Sequence, residues 1–171
     1  MKQRDVPSPV SGAGPRHRGR AQENPIIDPY RWTQKPPLAA VCPQCGAVFR
    51  QGRWRWGKRP AGAVEAVCQA CHRINDEYPA GIVTLKGAKL GRLKAEMIQL
   101  ARHQEQAEAR EHPLNRIISL EDGADQVVIK TTDIHLPRRI GEAIQRAFKG
   151  ELKADFDKGN YFVRVDWTSP D

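Results

Sequence analysis

The chain has 171 residues and a formal net charge of +8, and 39% of its residues are hydrophobic. These values fit a globular protein with room for one domain and a small appendage. The longest uninterrupted apolar run is the five residues 38–42, whereas a membrane-spanning helix needs roughly 20. We therefore exclude a membrane partner and a signal peptide, and we expect a cytoplasmic protein.

The excess positive charge is confined to the front of the chain. Residues 1–40 and residues 41–67 each carry a net charge of +4, whereas the remaining 104 residues carry none. Such asymmetry favours a polyanionic partner, most often a nucleic acid. The alternative is a tail that only keeps the protein in solution.

The first segment, residues 1–40, contains ten Gly and Pro mixed with Arg and Lys, and it shows almost no hydrophobic pattern. It cannot bury enough apolar area to offset the entropy of ordering the chain. The sequence therefore predicts a disordered basic arm over residues 1–40. Within it, we expect Tyr30 and Trp32 to anchor locally against the next module.

All four cysteines of the chain fall in two Cys-x₂-Cys pairs, separated by 22 residues. Two residues between cysteines let both sulfurs of one turn reach a single ion at about 2.3 Å, and two such turns complete a tetrahedron. The spacing predicts a structural Zn²⁺ site in a zinc ribbon over residues 41–80. Four thiolates leave no open coordination position, so this ion is not expected to activate water. The predicted ligands are Cys42, Cys45, Cys68 and Cys71.

Other uses of these cysteines are less consistent with the sequence. Disulfides are disfavoured in a cytosolic chain, and a thioredoxin-like pair would need one Cys-x₂-Cys at a strand-to-helix turn. His72 follows Cys71 directly and could replace a thiolate, but we expect it outside the ligand shell. Gly46 is expected to take a positive φ that turns backbone N–H groups toward the sulfurs.

The spacer between the cysteine pairs is rich in Arg and Trp. On a strand, alternation would place Arg53 and Arg55 on one face, with both tryptophans on the other. Arg and Lys neutralise phosphates, and exposed aromatic rings stack on unpaired bases. The alternative is that the Trp face packs on the C-terminal domain and only the Arg face is exposed. The predicted RNA contacts of this segment are Arg50, Arg53, Trp54, Arg55, Trp56, Lys58 and Arg59.

From residue 81 onward the hydrophobic periodicity predicts a folded α+β domain, residues 81–171. Asp133 is the expected N-cap of its second helix, and Gly150 is the expected stop. The predicted order is β-α-β-β-α-β-β, a two-layer sandwich with both helices on one face of a mainly antiparallel sheet. The predicted strands lie near 82–85 and over 116–120, 126–131, 151–156 and 161–167, and the helices over 91–111 and from about 133 to 149.

Neither the sequence motifs nor their spacing supply a catalytic mechanism. We find no Ser/His/Asp or Cys/His arrangement, no Gly-rich phosphate loop and no obvious carboxylate pair. We therefore expect a protein that is not an enzyme and has no small-molecule substrate. A second candidate RNA-facing stripe lies on the second predicted helix, with Arg138 and Arg139 as its predicted contacts and Arg146 and Lys149 as further members, and a solvated helix face is the alternative.

Three segments taken together, residues 42–46, 68–74 and 127–136, resemble a known family. They are similar to the large-ribosomal-subunit export adaptors of eukaryotes, their archaeal relatives and a group of short bacterial proteins. The resemblance spans roughly residues 41–167. It implies a zinc-binding region before an α+β domain, with the large ribosomal subunit or its ribosomal RNA as the ligand. The eukaryotic members carry more cysteines and additional domains with export signals, so we do not extend export to this chain.

These observations lead to two hypotheses. The first is a non-catalytic, zinc-stabilised RNA-binding protein that associates with the large ribosomal subunit, in subunit maturation or in ribosome binding under stress. The second is an adaptor whose zinc ribbon docks another protein through an exposed tryptophan face.

Overall fold

The computed structural model describes residues 28–32 and 39–170. This part of the chain has two mixed β-sheets and three helices, so the predicted α+β class is confirmed. Most of the predicted disordered arm, residues 1–27 and 33–38, lies outside the described residues. Residues 28–32 pack against the segment that carries the four cysteines, residues 41–80, which we call the cysteine module. Ala40, which the sequence analysis assigned to the arm, belongs to the first strand of this module.

The first sheet has four short strands in the order β3-β2-β1-β4. They are β1 (Ala40–Val41), β2 (Val48–Arg50), β3 (Arg53–Arg55) and β4 (Val64–Glu65). Strand β1 pairs antiparallel with β2 and parallel with β4. Strands β2 and β3 form a hairpin whose two-residue turn, Gln51 and Gly52, has positive φ at both positions, as a tight hairpin turn requires.

A helix that the sequence did not predict follows this sheet. Helix α1 (Gln69–Asn75) begins at the second cysteine pair, and its N-cap is Cys68, whose sulfur accepts a hydrogen bond from the backbone N of Cys71. The sequence did not predict it because a helix of seven residues is too short to give a clear hydrophobic periodicity.

The second sheet has five strands in the order β6-β7-β5-β9-β8. Its central strand β5 pairs parallel with β9, and the other three pairings are antiparallel. The elements of this half of the chain are β5 (Gly81–Lys86), α2 (Leu90–Glu111), β6 (Ile117–Asp122), β7 (Gln126–Thr131), α3 (Leu136–Phe148), β8 (Glu151–Phe156) and β9 (Val163–Thr168).

Both long helices cover the same face of this sheet. Alternate strand residues such as Val83, Ile129 and Val165 are fully buried there, together with Met97 of α2 and Ile140 of α3. The sequence predicted Asp133 as the N-cap of the second long helix, but α3 begins at Leu136 and its N-cap is His135, whose side chain makes no capping hydrogen bond. The carboxylate of Asp133 nevertheless caps the first turn, because its Oδ2 accepts from the backbone N of His135 and of Leu136 at 2.7 and 3.0 Å. The alternate residues of the strands and the apolar residues at helical spacing in α2 and α3 thus pack together in one apolar core.

The second core is smaller and belongs to the cysteine module. It contains Phe49, Trp54 and the buried cysteines, with Trp32 and Leu114 packed against it. Leu114 comes from the loop between α2 and β6, so the two halves of the chain share this packing. No helix in the described ranges has the length and apolar character needed to cross a membrane.

Candidate metal centre and basic face

The four cysteine side chains come together although 22 residues separate the two pairs. Their sulfurs all lie within 4.8 Å of one another. The sulfurs of Cys45 and Cys68 are 3.8 Å apart, and a tetrahedral ion with metal–sulfur bonds of about 2.3 Å would separate its sulfurs by about 3.8 Å. All four cysteines are free thiols. The arrangement is therefore a candidate metal centre built from the predicted residues.

The first cysteine pair is held by the turn between β1 and β2. The backbone N of Cys42 donates to the O of Ala47 at 2.8 Å, and the N of Gly46 donates to the O of Cys42 at 2.9 Å. Gly46 has a φ of +78°, as predicted from the sequence. This conformation, which a residue with a Cβ rarely adopts, closes the turn around the sulfurs.

Helix α1 positions the second pair. Cys68 caps the helix, and its own backbone N donates to the sulfur of Cys42 at 3.4 Å. The N of Cys71 donates to the sulfur of Cys68, also at 3.4 Å. Backbone N–H groups directed at sulfur stabilise the thiolate form, which is the form that binds a metal.

Burial and hydrogen bonding act in opposite directions on these thiols. Burial raises the pKa of Cys45 and of Cys68. Burial also opposes ionisation of Cys42, but backbone N–H groups, foremost that of Cys68, outweigh it and lower the pKa of Cys42 to about 7. The cluster therefore holds thiols of unequal acidity, and a bound cation would supply the charge that stabilises all four as thiolates.

A guanidinium from the second half of the chain lies against the sulfurs. Nη2 of Arg116 donates to the sulfur of Cys71 at 3.2 Å and to that of Cys68 at 3.5 Å. Burial lowers the pKa of Arg116, but the hydrogen bond to Cys71 and the charge of the neighbouring sulfurs outweigh it and raise the pKa overall. Nothing in the sequence distinguishes Arg116 from the other arginines, because its partners lie more than 40 residues away.

His72 is exposed and is not a member of the sulfur group, in agreement with the sequence-based expectation.

Arg73, the residue after His72, has a role that the sequence did not reveal. Arg73 is only 1% exposed, and its Nη2 lies 2.6 Å from Oδ1 of Asp28. Tyr30, two residues beyond Asp28, donates from its hydroxyl to Oδ2 of Asp76. The anchoring predicted for Tyr30 is therefore confirmed, and for Trp32 it is confirmed by packing on Phe49.

The arginines of the β2–β3 hairpin share one face. Cross-strand partners point to the same side of a sheet, and the register pairs Arg50 with Arg53 and Val48 with Arg55. Arg50, Arg53 and Arg55 are exposed, as is Lys58 beyond the strand. None of these four cations forms an ion pair with a residue in the described part of the chain. We call Arg50, Arg53, Arg55 and Lys58 the basic face.

The two tryptophans of the spacer have different environments. Trp54 lies on the opposite side of the hairpin, is 8% exposed and packs against Phe49 and Trp32. In this conformation its ring offers no surface on which a base could stack. Trp54 is therefore packed, as the alternative expected, but its ring neighbours are Phe49 of the cysteine module and Trp32 of the N-terminal segment and not residues of the C-terminal domain.

Trp56 lies beyond the end of β3 and is 44% exposed. The prediction that it shares a face with Trp54 is wrong, because the strand ends at Arg55 and alternation does not continue. Trp56 instead lines a shallow cavity of about 300 Å³ together with Arg50, Arg55 and Lys58. Its indole N–H donates to the backbone O of Ala109, which fixes the ring against α2.

The remaining predicted RNA contacts have acidic partners. Arg59 lies 3.4 Å from Glu65. On α3, Arg138 pairs with Glu142 at 3.1 Å, and Arg139 pairs with Glu108 of α2 at 2.7 Å. Such pairing reduces the net positive charge that these three arginines present to a phosphate. The two parts of the predicted RNA surface are therefore not equivalent, and the hairpin carries the unpaired charge.

Comparisons of the chain with protein-family models, with curated proteins and with solved structures gave no match.

Proposed function

We propose that this chain is a non-catalytic, zinc-stabilised RNA-binding protein of the cytoplasm that associates with the large ribosomal subunit. The observation that carries the proposal is the basic face, where four exposed cations lie on and beside one hairpin without an acidic partner in the described ranges. Unpaired Arg and Lys beside a half-exposed tryptophan suit a ligand that combines phosphate with unstacked bases.

Zinc is the metal that this cluster suits best. A closed shell of four thiolates in a small module is typical of a structural zinc ion, and soft sulfur ligands disfavour magnesium and calcium. With no open coordination position, the ion would stabilise the cysteine module and would not bind or activate a water molecule. This supports a binding protein rather than an enzyme.

The choice of the ribosome as the RNA partner rests on the sequence. Residues 42–46, 68–74 and 127–136 resemble the large-subunit export adaptors, and the excess charge of the chain falls in residues 1–67. The competing adaptor hypothesis needs an exposed tryptophan surface as its central contact. It is less well supported, because Trp54 is buried and the one half-exposed tryptophan, Trp56, lies among the cations Arg50, Arg55 and Lys58 and not in an apolar surface.

The test is cosedimentation of the full chain with purified large ribosomal subunits at a series of salt concentrations. Each phosphate contact that is lost should flatten the dependence of log affinity on log salt by about 0.7 to 0.9. We expect Arg53→Ala with Arg55→Ala to weaken binding and to reduce this slope by about 1 to 2. The matched control, Arg92→Ala with Lys158→Ala, removes the same charge from exposed sites outside both candidate RNA surfaces and should change the slope little.

Identical salt dependence of wild type and the Arg53/Arg55 variant would refute the basic face as the RNA contact. Binding to subunits that does not depend on salt at all would favour the protein-adaptor hypothesis instead. A third variant, Arg138→Ala with Arg139→Ala, tests the stripe on α3, and we expect a smaller effect there because both arginines are already paired.

A further inference from the structure

The sulfur cluster and the five-stranded sheet are joined by a partly buried polar contact. Arg116 leaves the sheet half of the chain just before β6, and its guanidinium reaches the sulfurs of Cys68 and Cys71. Its backbone is fixed at both ends, because the N of Arg116 donates to Oγ1 of Thr132 and the N of Thr132 donates to the O of Arg116, each at 2.9 Å. The sheet therefore fixes the backbone of Arg116, and the guanidinium of this residue points toward the candidate metal centre.

The charges of this contact are complementary. Four thiolates around a divalent ion carry a net charge of −2, and a guanidinium supplies +1. N–H groups that donate to metal-bound sulfur stabilise the centre from outside the ligand shell, as outer partners of metal ligands do in general. Within the described residues, no acidic side chain pairs with Arg116, so the sulfurs are its anionic partners.

We infer that Arg116 is a positioning residue that couples metal binding in the cysteine module to docking of that module on the sheet domain. The contact exists only when the two halves are docked, and it is strongest when the thiolate centre is complete. Such coupling is reciprocal: if docking tightens metal binding by some factor, the metal tightens docking by the same factor. The inference rests on the metal occupancy proposed above and not on the RNA ligand.

Two further contacts cross the same interface and would open with it. The indole N–H of Trp56 donates to the backbone O of Ala109 in α2, and Leu114 packs on the core of the module. Trp56 also lines the cavity of the basic face. Loss of the metal would therefore loosen the element that positions the proposed RNA contact, and not only the cysteine turns.

The first experiment measures metal release from the full-length zinc-loaded protein into an excess of a chromogenic chelator. We expect Arg116→Met, which keeps most of the length of the side chain without its charge or donors, to bind one zinc and to release it about tenfold faster or more. Arg116→Lys keeps the positive charge but lacks the planar guanidinium, so its rate of zinc release should lie between those of wild type and Arg116→Met. The matched control Arg146→Met removes an exposed arginine of α3 and should release zinc at the wild-type rate.

The second experiment needs no variant and covers the case in which Arg116→Met does not fold. Hydrogen exchange is followed in wild-type protein with zinc and after its removal. We expect faster exchange on zinc removal both in α1 and in residues 114–117 of the sheet domain. Unchanged exchange at residues 114–117, or equal release rates for wild type and Arg116→Met, would overturn the inference. Neither readout involves RNA, so a failure of the proposed function would show only in the sedimentation experiment.

Discussion

The guanidinium of Arg73 stacks on the ring of Tyr30, with its carbon 4.4 Å from the ring centroid. The same group pairs with Asp28 and donates from Nη1 to the backbone O of Tyr78 at 3.2 Å. The ring of Tyr161, from the loop before β9, lies 5.7 Å from it. A short N-terminal segment, helix α1 and the sheet domain thus meet around one buried cation.

Two truncations separate this anchor from the residues before it. Residues 1–24 carry no core-forming hydrophobic pattern, so their deletion should leave thermal stability and metal content at the wild-type level. Deleting residues 1–32 also removes Asp28 and Tyr30, which cover the guanidinium of Arg73, and Trp32, which packs on Phe49. We expect a loss of about 3 kcal/mol in the free energy of unfolding, measured in urea, because an aromatic ring of the second core and a partly buried ion pair are both lost. Equal stability of the two truncated proteins would contradict the anchor.

The metal centre predicts the effect of removing one ligand. Purified wild-type protein should contain one equivalent of zinc, and Cys42→Ser or Cys68→Ser should lose it and unfold the cysteine module. The sheet domain should remain folded, since its core of residues such as Val83 and Ile140 is separate. Elemental analysis and hydrogen exchange measure the two effects. Gln44→Ser is the control, because it changes an exposed side chain of the same turn and keeps the backbone N–H that donates to Cys42. A folded, reduced sample without metal would disprove the site.

The buried cap of α3 predicts a dependence on pH. Burial raises the pKa of Asp133 above its ordinary value of 3.8, and the hydrogen bonds from Leu136 and His135 only partly oppose this. A raised pKa in the folded state means that this carboxyl favours folding at acid pH and that the contribution is lost as pH rises through the raised value. At pH 7 the ionised group therefore costs stability relative to a neutral side chain that can still cap the helix.

Two substitutions at this position test that reasoning. Asp133→Asn keeps an acceptor for the backbone N of His135 and Leu136, so its stability relative to wild type should be greater at pH 7 than at pH 4. Asp133→Ala loses the cap and should cost about 1 kcal/mol even at pH 4. Urea unfolding at both pH values provides the measurement. If Asp133→Asn instead became less stable relative to wild type as the pH rose, the pKa of Asp133 in the folded protein would have to be lowered, not raised.

The two tryptophans of the hairpin form a matched pair of substitutions. Trp54→Ala should destabilise the cysteine module by about 3 kcal/mol or more, because it removes a buried ring from a small core. Trp56→Ala should cost much less stability but should weaken binding to single-stranded ribosomal RNA by about 1 to 3 kcal/mol, the loss expected for one stacked base. Thermal unfolding and RNA titration measure these effects. Wild-type RNA affinity in the Trp56 variant would exclude stacking.

Several features could be predicted from local sequence because they depend on local spacing. Two Cys-x₂-Cys pairs identify the candidate ligands, since two intervening residues set the distance between sulfurs in one turn. Alternating and helical apolar periods predicted the strands and long helices of the second half, because each period describes a face that must be buried. Asp133 before Pro137 predicted the start of α3 by its capping chemistry.

What the tertiary structure alone decided concerns residues whose partners are distant in sequence. Trp54 and Trp56 have similar sequence surroundings in the spacer. Because β3 ends at Arg55, Trp54 lies in the core, whereas Trp56 is half-exposed and lines a cavity. Arg73 and Arg116 look like any other arginine, yet one is buried against Asp28, 45 residues away, and the other faces Cys71, also 45 residues away. A charged side chain carries no local period, so its environment is fixed only when the packing of the whole chain brings its counter-charge within reach.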